Sequence, residues 1–77
     1  MTLADLQKGQ NARIATLKGS DQERNRLIAM GLTSGKEVSL HHAAPFGDPR
    51  IYTIMGYDLS LRNREAKMIH IEPIPSR

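Results

Sequence analysis

The chain has 77 residues, of which 39% are apolar and 25% charged, and its formal net charge is +3 at pH 7. This length allows one domain with one core, and no apolar tract is long enough to cross a membrane. The chain has no cysteine, which excludes disulfides and thiolate metal sites and favours a reducing compartment. Because the N terminus shows no basic leader and no unbroken apolar segment, we expect a cytoplasmic protein.

The first elements are a short turn and a strand. Leu3 and Leu6 are spaced to lie on one side of a helical turn that covers the core. Residues 11–17 then alternate as a strand, with Ala12 and Ile14 facing inward.

The clearest local signal is a helix that begins at Ser20. Ser20 and Glu23 have the spacing of a capping box, in which each side chain accepts a hydrogen bond from the other residue's amide. Gly31 is suited to the left-handed conformation that ends a helix, and Leu32 is expected to fold back on Leu27. The predicted apolar side of the helix comprises Leu27, Ile28 and Met30.

The C-terminal half alternates between short strands and turns. The sequence predicts a strand at 36–42 and a loop at 43–49. A hairpin follows, with one strand at 50–55, a turn at 56–58 and a second strand that carries Leu59 and Leu61. A helical turn at 63–66 and a strand at 68–71 complete the predicted elements. Five strands with one inserted helix predict a mainly β fold, a small barrel, since closure removes exposed sheet edges. We predict one domain over residues 1–77, with a short tail from about residue 72 because Pro73 and Pro75 interrupt regular structure.

Groups that carry chemistry are sparse. The sequence has no thiol, no zinc-protease or serine-hydrolase motif and no phosphate loop, which predicts that the protein is not an enzyme and has no cofactor. His41, His42 and His70 are the candidates for a metal site. Adjacent residues of a strand face opposite ways, so His41 and His42 are not expected to share an ion, and we predict no metal site.

Three separated motifs carry a resemblance to a known family. RLIAMGLTSGKEV at 26–38, APFGDPRIY at 44–52 and LSLRNREAKMIHIE at 59–72 together resemble the FeoA family of small cytoplasmic proteins of bacterial ferrous iron uptake. The resemblance implies an SH3-like β-barrel and a non-enzymatic accessory that modulates FeoB, the GTP-hydrolysing membrane transporter, at its cytoplasmic portion. The chain departs from the family pattern at Ser34, where proline is frequent, and at Phe46, where an aliphatic residue is common.

Five residues are candidates for contact with the partner: Arg24, Arg26, Met30, Phe46 and Asp48. Arginine and methionine suit protein contact surfaces, and Phe46 lies at the tip of a long loop. The alternatives are that the stem of Arg24 covers the barrel edge, that Asp48 organises a turn, and that Phe46 folds back over the barrel mouth.

Other functions fit the sequence less well. A pI near 9.7 and the proximity of Arg62, Arg64 and Lys67 suggest a small nucleic-acid-binding barrel, but the three aromatic residues are too scattered for a stacking platform. A peptide-binding SH3 domain needs an aromatic groove. A metal-responsive regulatory module, such as the end domain of iron-dependent repressors, would require a recognition helix for DNA elsewhere. We therefore expect neither nucleic-acid binding nor membrane insertion.

Overall fold

A computed structural model describes residues 1–74, which form one five-stranded antiparallel sheet with strand order β4-β3-β2-β1-β5. In chain order the elements are a 3-10 turn at Leu3–Asp5, β1 at Asn11–Leu17, α1 at Asp21–Ala29, β2 at Glu37–Ala43, β3 at Arg50–Ile54, β4 at Tyr57–Leu61, α2 at Asn63–Ala66 and β5 at Ile69–Ile74. The predicted mainly β fold of five strands with an inserted helix is confirmed.

The core lies on the inner face of the sheet, where alternate residues of the strands are buried. Ala12 and Ile14 of β1 are buried as predicted, and the same alternation buries Val38 and Leu40 of β2 and Ile69 and Ile71 of β5. Tyr52 of β3 is the largest of the fully buried side chains. Its burial raises the pKa of the phenol, and its hydroxyl donates to the carbonyl of Leu3 at 3.0 Å.

The N-terminal segment, residues 1–8, covers one end of the core as predicted. Leu3 and Leu6 are fully buried. The guanidinium of Arg50 donates to the carbonyls of Ala4 and Leu6, which ties this segment to β3.

The same segment also pairs with the sheet. Thr2 forms an antiparallel bridge with His70 of β5, and Lys8 forms a parallel bridge with Leu40 of β2. The N-terminal segment therefore joins strands that lie apart in the strand order.

Both ends of α1 are capped as the sequence predicts. At the start, the Ser20 hydroxyl accepts from the amide of Glu23 at 3.2 Å, and the Glu23 carboxylate accepts from the amide of Ser20 at 3.0 Å. At the end, the amide of Leu32 donates to the carbonyl of Leu27 at 3.1 Å, and Gly31 has a φ of +97°. This is a Schellman motif with buried leucines at both of its contact positions.

The apolar side predicted for α1 is wrong in part. Leu27 is the buried residue of the helix, whereas Ile28 is 46% exposed and Met30 is half-buried. Successive helix positions are rotated by about 100°, so Ile28 and Met30 flank Leu27 on opposite sides. A helix that contacts the barrel along one narrow line buries the middle residue and leaves its neighbours accessible.

The hairpin between β3 and β4 turns earlier than predicted. Met55 and Gly56 form the two-residue connection with φ values of +49° and +85°, and Tyr57 and Asp58 already belong to β4. Positive φ at both positions is typical of the turn that matches the twist of a hairpin. The prediction placed the turn at 56–58 because it assigned Met55 to the strand.

The tail predicted from about residue 72 is also wrong as far as Ile74. Glu72, Pro73 and Ile74 continue β5 and lie opposite Arg13, Ala12 and Asn11 of β1. Proline is tolerated because β5 is at the end of the strand order: among residues 1–74, apart from the bridge between Thr2 and His70, no strand pairs with the side of β5 opposite β1. Pro75 lies outside the described residues.

Gly31 and Gly35 provide a matched pair for testing the helix stop. Both have positive φ, but a Cβ added at Gly31 would clash with the Tyr57 hydroxyl, whereas one at Gly35 would meet nothing within 4 Å. We expect Gly35→Ala to lower the free energy of unfolding by about 1–2 kcal/mol, the backbone cost alone. Gly31→Ala should cost about 1 kcal/mol more, because it displaces that hydroxyl from the Met30 carbonyl.

Denaturant unfolding measures both losses, and the Tyr57→Phe background supplies the control. Without the hydroxyl, the nearest ring atom to the added Cβ is Cζ at 3.4 Å, an ordinary contact. The extra cost of Gly31→Ala should therefore disappear in this background. Equal losses for the two glycine variants in the wild-type background would contradict the account.

The two capping carboxylates predict a loss of stability in acid. Hydrogen bonds from Thr2 lower the pKa of Asp5, and hydrogen bonds from Ser20 lower the pKa of Glu23. Both groups therefore stabilise the fold above their ordinary pKa values of 3.8 and 4.5, and this contribution is lost as the pH falls through the lower folded values. Asp5→Asn and Glu23→Gln should be less stable than wild type at neutral pH, with a gap that narrows in acid unfolding titrations. A gap that stays constant with pH would contradict this.

Candidate functional site

The two arginines of α1 are both paired with carboxylates of the chain. Arg24 pairs with Asp21, one turn earlier on the exposed surface of the helix. Arg26 reaches across to α2, where its Nη1 lies 2.7 Å from Oε2 of Glu65. The Arg26 side chain is 64% exposed, whereas that of Glu65 is 7% exposed. Arg26 therefore covers a buried charge as well as facing solvent.

Glu65 is the buried charged residue in the part of the chain that the structure describes. Its Oε1 accepts from the amide of Arg62 at 3.1 Å and so caps α2. Its Oε2 makes no hydrogen bond of good geometry, although the Arg26 guanidinium lies beside it. The neighbouring cation is therefore the main compensation for the charge on this oxygen.

The long loop, residues 44–49, is closed by its own hydrogen bonds. The amide of Ala44 donates to the carbonyl of Pro49 at 3.0 Å, and the amide of Gly47 donates to the carbonyl of Ala44 at 2.7 Å. Asp48 then accepts from the amide of Asn63 at 3.1 Å, which ties the loop to the start of α2. Asp48 thus organises the loop, and its contact with a partner stays a prediction.

Phe46 at the loop tip is 98% exposed. The alternative in which this ring folds back over the barrel mouth is therefore wrong. A closed loop that holds an aromatic ring in water suits a contact residue, since apolar rings are frequent anchors of protein interfaces.

These contacts bring two of the five candidate residues, Arg26 and Asp48, to α2. Arg26 reaches α2 through Glu65, and Asp48 reaches it through Asn63. Met30 lies apart, at the end of α1, where its carbonyl accepts from the Tyr57 hydroxyl at 2.7 Å. Partner contact by Arg24, Arg26 and Met30 likewise stays a prediction.

Sequence reasoning missed the supporting role of α2. The signal it could have used is the three-residue spacing of Arg62 and Glu65, which places an acidic side chain where it can cap the turn. It also missed the exposed apolar residues Met55 and Tyr57 of the β3–β4 hairpin. The sequence did not distinguish them from core residues, because Met55 was assigned to a predicted strand and Tyr57 to a predicted turn.

The histidines do not form a cluster. His41 and His42 are both exposed because the register with β3 shifts between Leu40 and His42, so the strict alternation assumed for them does not hold. His41 lies 3.9 Å from the Asp58 carboxylate, and His70 is in β5 beside β1. Within residues 1–74, no group of three or more histidine, aspartate or glutamate side chains is placed to hold a metal ion.

Comparison with known proteins identifies relatives. A model of the FeoA domain matches residues 1–73. The Fe(2+) transport protein A/Fe(2+) transporter FeoB fusion protein of Porphyromonas gingivalis is 38% identical over 76 residues, which cover 99% of this chain but 9% of the fusion protein. Among residues 1–74 no helix has both the length and the apolar character of a membrane span.

Two solved structures match closely. Iron(II) transport protein A of Clostridium thermocellum is 36% identical, with a TM-score of 0.91 over 96% of this chain and 46% of that one. FeoA of Stenotrophomonas maltophilia, a prokaryotic SH3 domain protein solved with zinc, is 26% identical, with a TM-score of 0.80 over 94% of this chain and 89% of that one. The predicted SH3-like class is confirmed by this match.

Arg26 and Arg24 are matched tests of the buried carboxylate. Arg26→Ala leaves the charge of Glu65 buried without its cation, whereas Arg24→Ala removes a surface pair within one helix. We expect Arg26→Ala to lower the free energy of unfolding by about 1–3 kcal/mol, below the usual cost for a buried pair because the guanidinium is largely exposed. Arg24→Ala should cost about 0.5 kcal/mol or less. Chemical denaturation measures the free energy of unfolding of both variants. Equal losses would show that the pair between Arg26 and Glu65 stabilises the fold no more than a surface pair does.

Proposed function

The chain belongs to the FeoA family, and from this we propose that it is a non-enzymatic, cytoplasmic accessory of ferrous iron uptake that binds the cytoplasmic portion of a FeoB-type transporter. One observation carries the proposal. In P. gingivalis, a segment similar to nearly the whole of this chain is covalently joined to an Fe(2+) transporter FeoB. Fusion keeps two modules at high effective concentration, so modules that act together when fused are expected to bind each other when separate.

The proposed mechanism is a change in the balance between transporter conformations. A bound accessory shifts that balance only by the amount by which it prefers one conformation over the other. The nucleotide-binding cycle of a GTP-hydrolysing transporter provides such conformations. The accessory itself needs no moving part, because a rigid barrel that fits one conformation better than another is sufficient.

The contacts of the buried Glu65 carboxylate support a binding role rather than catalysis. Catalysis requires titratable groups gathered in a pocket. Glu65 is already engaged by the amide of Arg62 and the guanidinium of Arg26, both of which have structural roles. The exposed Phe46 ring, by contrast, is free to enter a pocket of another molecule, and aromatic rings are frequent anchors of protein interfaces.

Protein contact also accounts for the aromatic residues better than nucleic-acid binding does. Tyr52 is buried in the core, and Phe46 and Tyr57 lie beyond opposite ends of β3. Successive bases of a single strand stack on neighbouring rings, so this arrangement offers no platform. We therefore propose a protein partner and no nucleic-acid partner.

Binding to the transporter's purified cytoplasmic domain tests the proposal. We expect isothermal titration to detect a one-to-one complex, with an affinity that differs between the GDP-bound state and the state bound to a non-hydrolysable GTP analogue. An unrelated SH3-like barrel of similar net charge is the control for non-specific electrostatic attraction. Absence of binding in both nucleotide states would overturn the proposal.

A further inference from the structure

We propose that Phe46, Arg62, Arg64 and Lys67 form one docking surface, and that its partner is a folded protein surface with an apolar pocket flanked by carboxylates. We call these four residues the Phe46 surface. The inference rests on the proposed function and specifies which face of the chain contacts the transporter.

The first support is the way in which the loop presents the ring. Two backbone hydrogen bonds close the loop between Ala44 and Pro49, and the Asp48 carboxylate fastens it to Asn63. The ring is nevertheless 98% exposed. A backbone that is already ordered loses little further freedom when its side chain enters a pocket, which favours binding to a partner of fixed shape.

The second support is the charge beside the loop. Arg62, Arg64 and Lys67 are exposed, and within residues 1–74 none of them forms a salt bridge. They flank the buried Glu65 in sequence, and the charge of Glu65 is already compensated by Arg26. Residues 62–67 are therefore a sequence cluster of three exposed cations without a carboxylate partner among residues 1–74, which complements carboxylates on a partner protein.

Two acidic residues border this cluster and do not cancel it. Asp48 is held by the amide of Asn63, between the loop and α2. Hydrogen bonds from Ser20, and more weakly the charge of Arg64, lower the pKa of Glu23. Glu23 is engaged as the cap of α1, so the outward-facing charge of α2 remains positive.

The third support is that the Asp48 contact makes the loop and α2 one unit. The hydrogen bond between Asp48 and Asn63 spans the two elements that carry the ring and the cations. Their spacing is therefore fixed before binding. The exposed residues Met55 and Tyr57 lie beyond the other end of β3 and do not belong to this surface.

A folded protein fits this surface better than a lipid bilayer does. A bilayer accepts an aromatic ring in many orientations and gains little from a loop of fixed shape, and firm membrane association generally requires more than one inserted group. The surface offers a single ring on a loop of fixed shape. A pocket with acidic groups at its rim uses both the ring and the adjacent cations.

Phe46→Ala and Met55→Ala are matched tests of the ring. Met55 is 64% exposed and lies at the other end of β3, so both substitutions remove an exposed apolar side chain with little effect on folding. Against the purified cytoplasmic domain of the transporter, we expect Phe46→Ala to raise the Kd by about tenfold or more and Met55→Ala by less than about twofold. Thermal melting confirms that both variants are folded.

The cations are tested by a pair of triple variants. Arg62→Gln, Arg64→Gln and Lys67→Gln together should lower the association rate and flatten its dependence on salt. The control, Lys8→Gln, Arg13→Gln and Lys36→Gln, removes the same number of charges. Lys36 precedes β2 and Arg13 lies opposite Glu37, its first residue, whereas the loop follows that strand, about 20 Å away at the rise of a strand. Lys8 lies opposite Leu40, halfway along β2. The control should therefore leave the salt dependence largely unchanged.

Asp48 acts as a positioning residue, and this role predicts that its effect on binding depends on Phe46. Asp48→Ala should weaken binding when Phe46 is present, because it frees the loop, and should have no further effect in the Phe46→Ala variant. Additive effects of the two substitutions would contradict this role.

The outcomes separate the surface from the proposed function. If the wild-type chain binds and Phe46→Ala binds equally well, the Phe46 surface is overturned while the proposed function stands. If the wild-type chain does not bind the domain at all, both are overturned. If Phe46→Ala abolishes sedimentation with vesicles of anionic phospholipid but leaves binding to the domain unchanged, the surface contacts lipid and the inference is wrong.

Discussion

The fold depends on hydrogen bonds between the side chains of β3 and the backbone of the N-terminal segment. Arg50 and Tyr52 are two residues apart and so face the same side of the strand, where they bind the carbonyls of Leu3, Ala4 and Leu6. The Arg50 guanidinium also lies 5.8 Å from the centre of the Tyr52 ring. A segment without regular strand structure can cover the core only if its carbonyls find donors, and β3 supplies them. In a domain of this size, the two leucines sealed in this way are a substantial part of the core.

The features that could be predicted from the sequence are those that depend on residues close together in the chain. The caps of α1 depend on Ser20, Glu23, Gly31 and their immediate neighbours, and the inward residues of the strands follow from alternation. What it could not predict depends on distant partners. The extent of β5 is set by pairing with β1, and the exposure of His42 by a register shift against β3. The narrow contact of α1 follows from how the helix lies on the barrel.

The candidate surface illustrates the same division. Sequence reasoning selected Arg26 and Phe46 as residue types common at interfaces, and selected Asp48 for its place in a loop. It did not find that Glu65 and Asn63 support two of them, because those contacts join segments far apart in the chain. The short helix α2 therefore has two roles. Its buried Glu65 pairs with Arg26 of α1, and its first amide, that of Asn63, holds the loop that carries the aromatic ring.

Helix α1 contributes a single buried side chain, Leu27, and is otherwise held by caps and by pairs at its ends. An isolated helix of this length is not stable in water, so α1 is stabilised by its contacts with the barrel and by the C-terminal cap at Gly31. Most of its outer positions can consequently accept different side chains without disturbing the core. Substitutions at these outer positions therefore cost the fold little free energy.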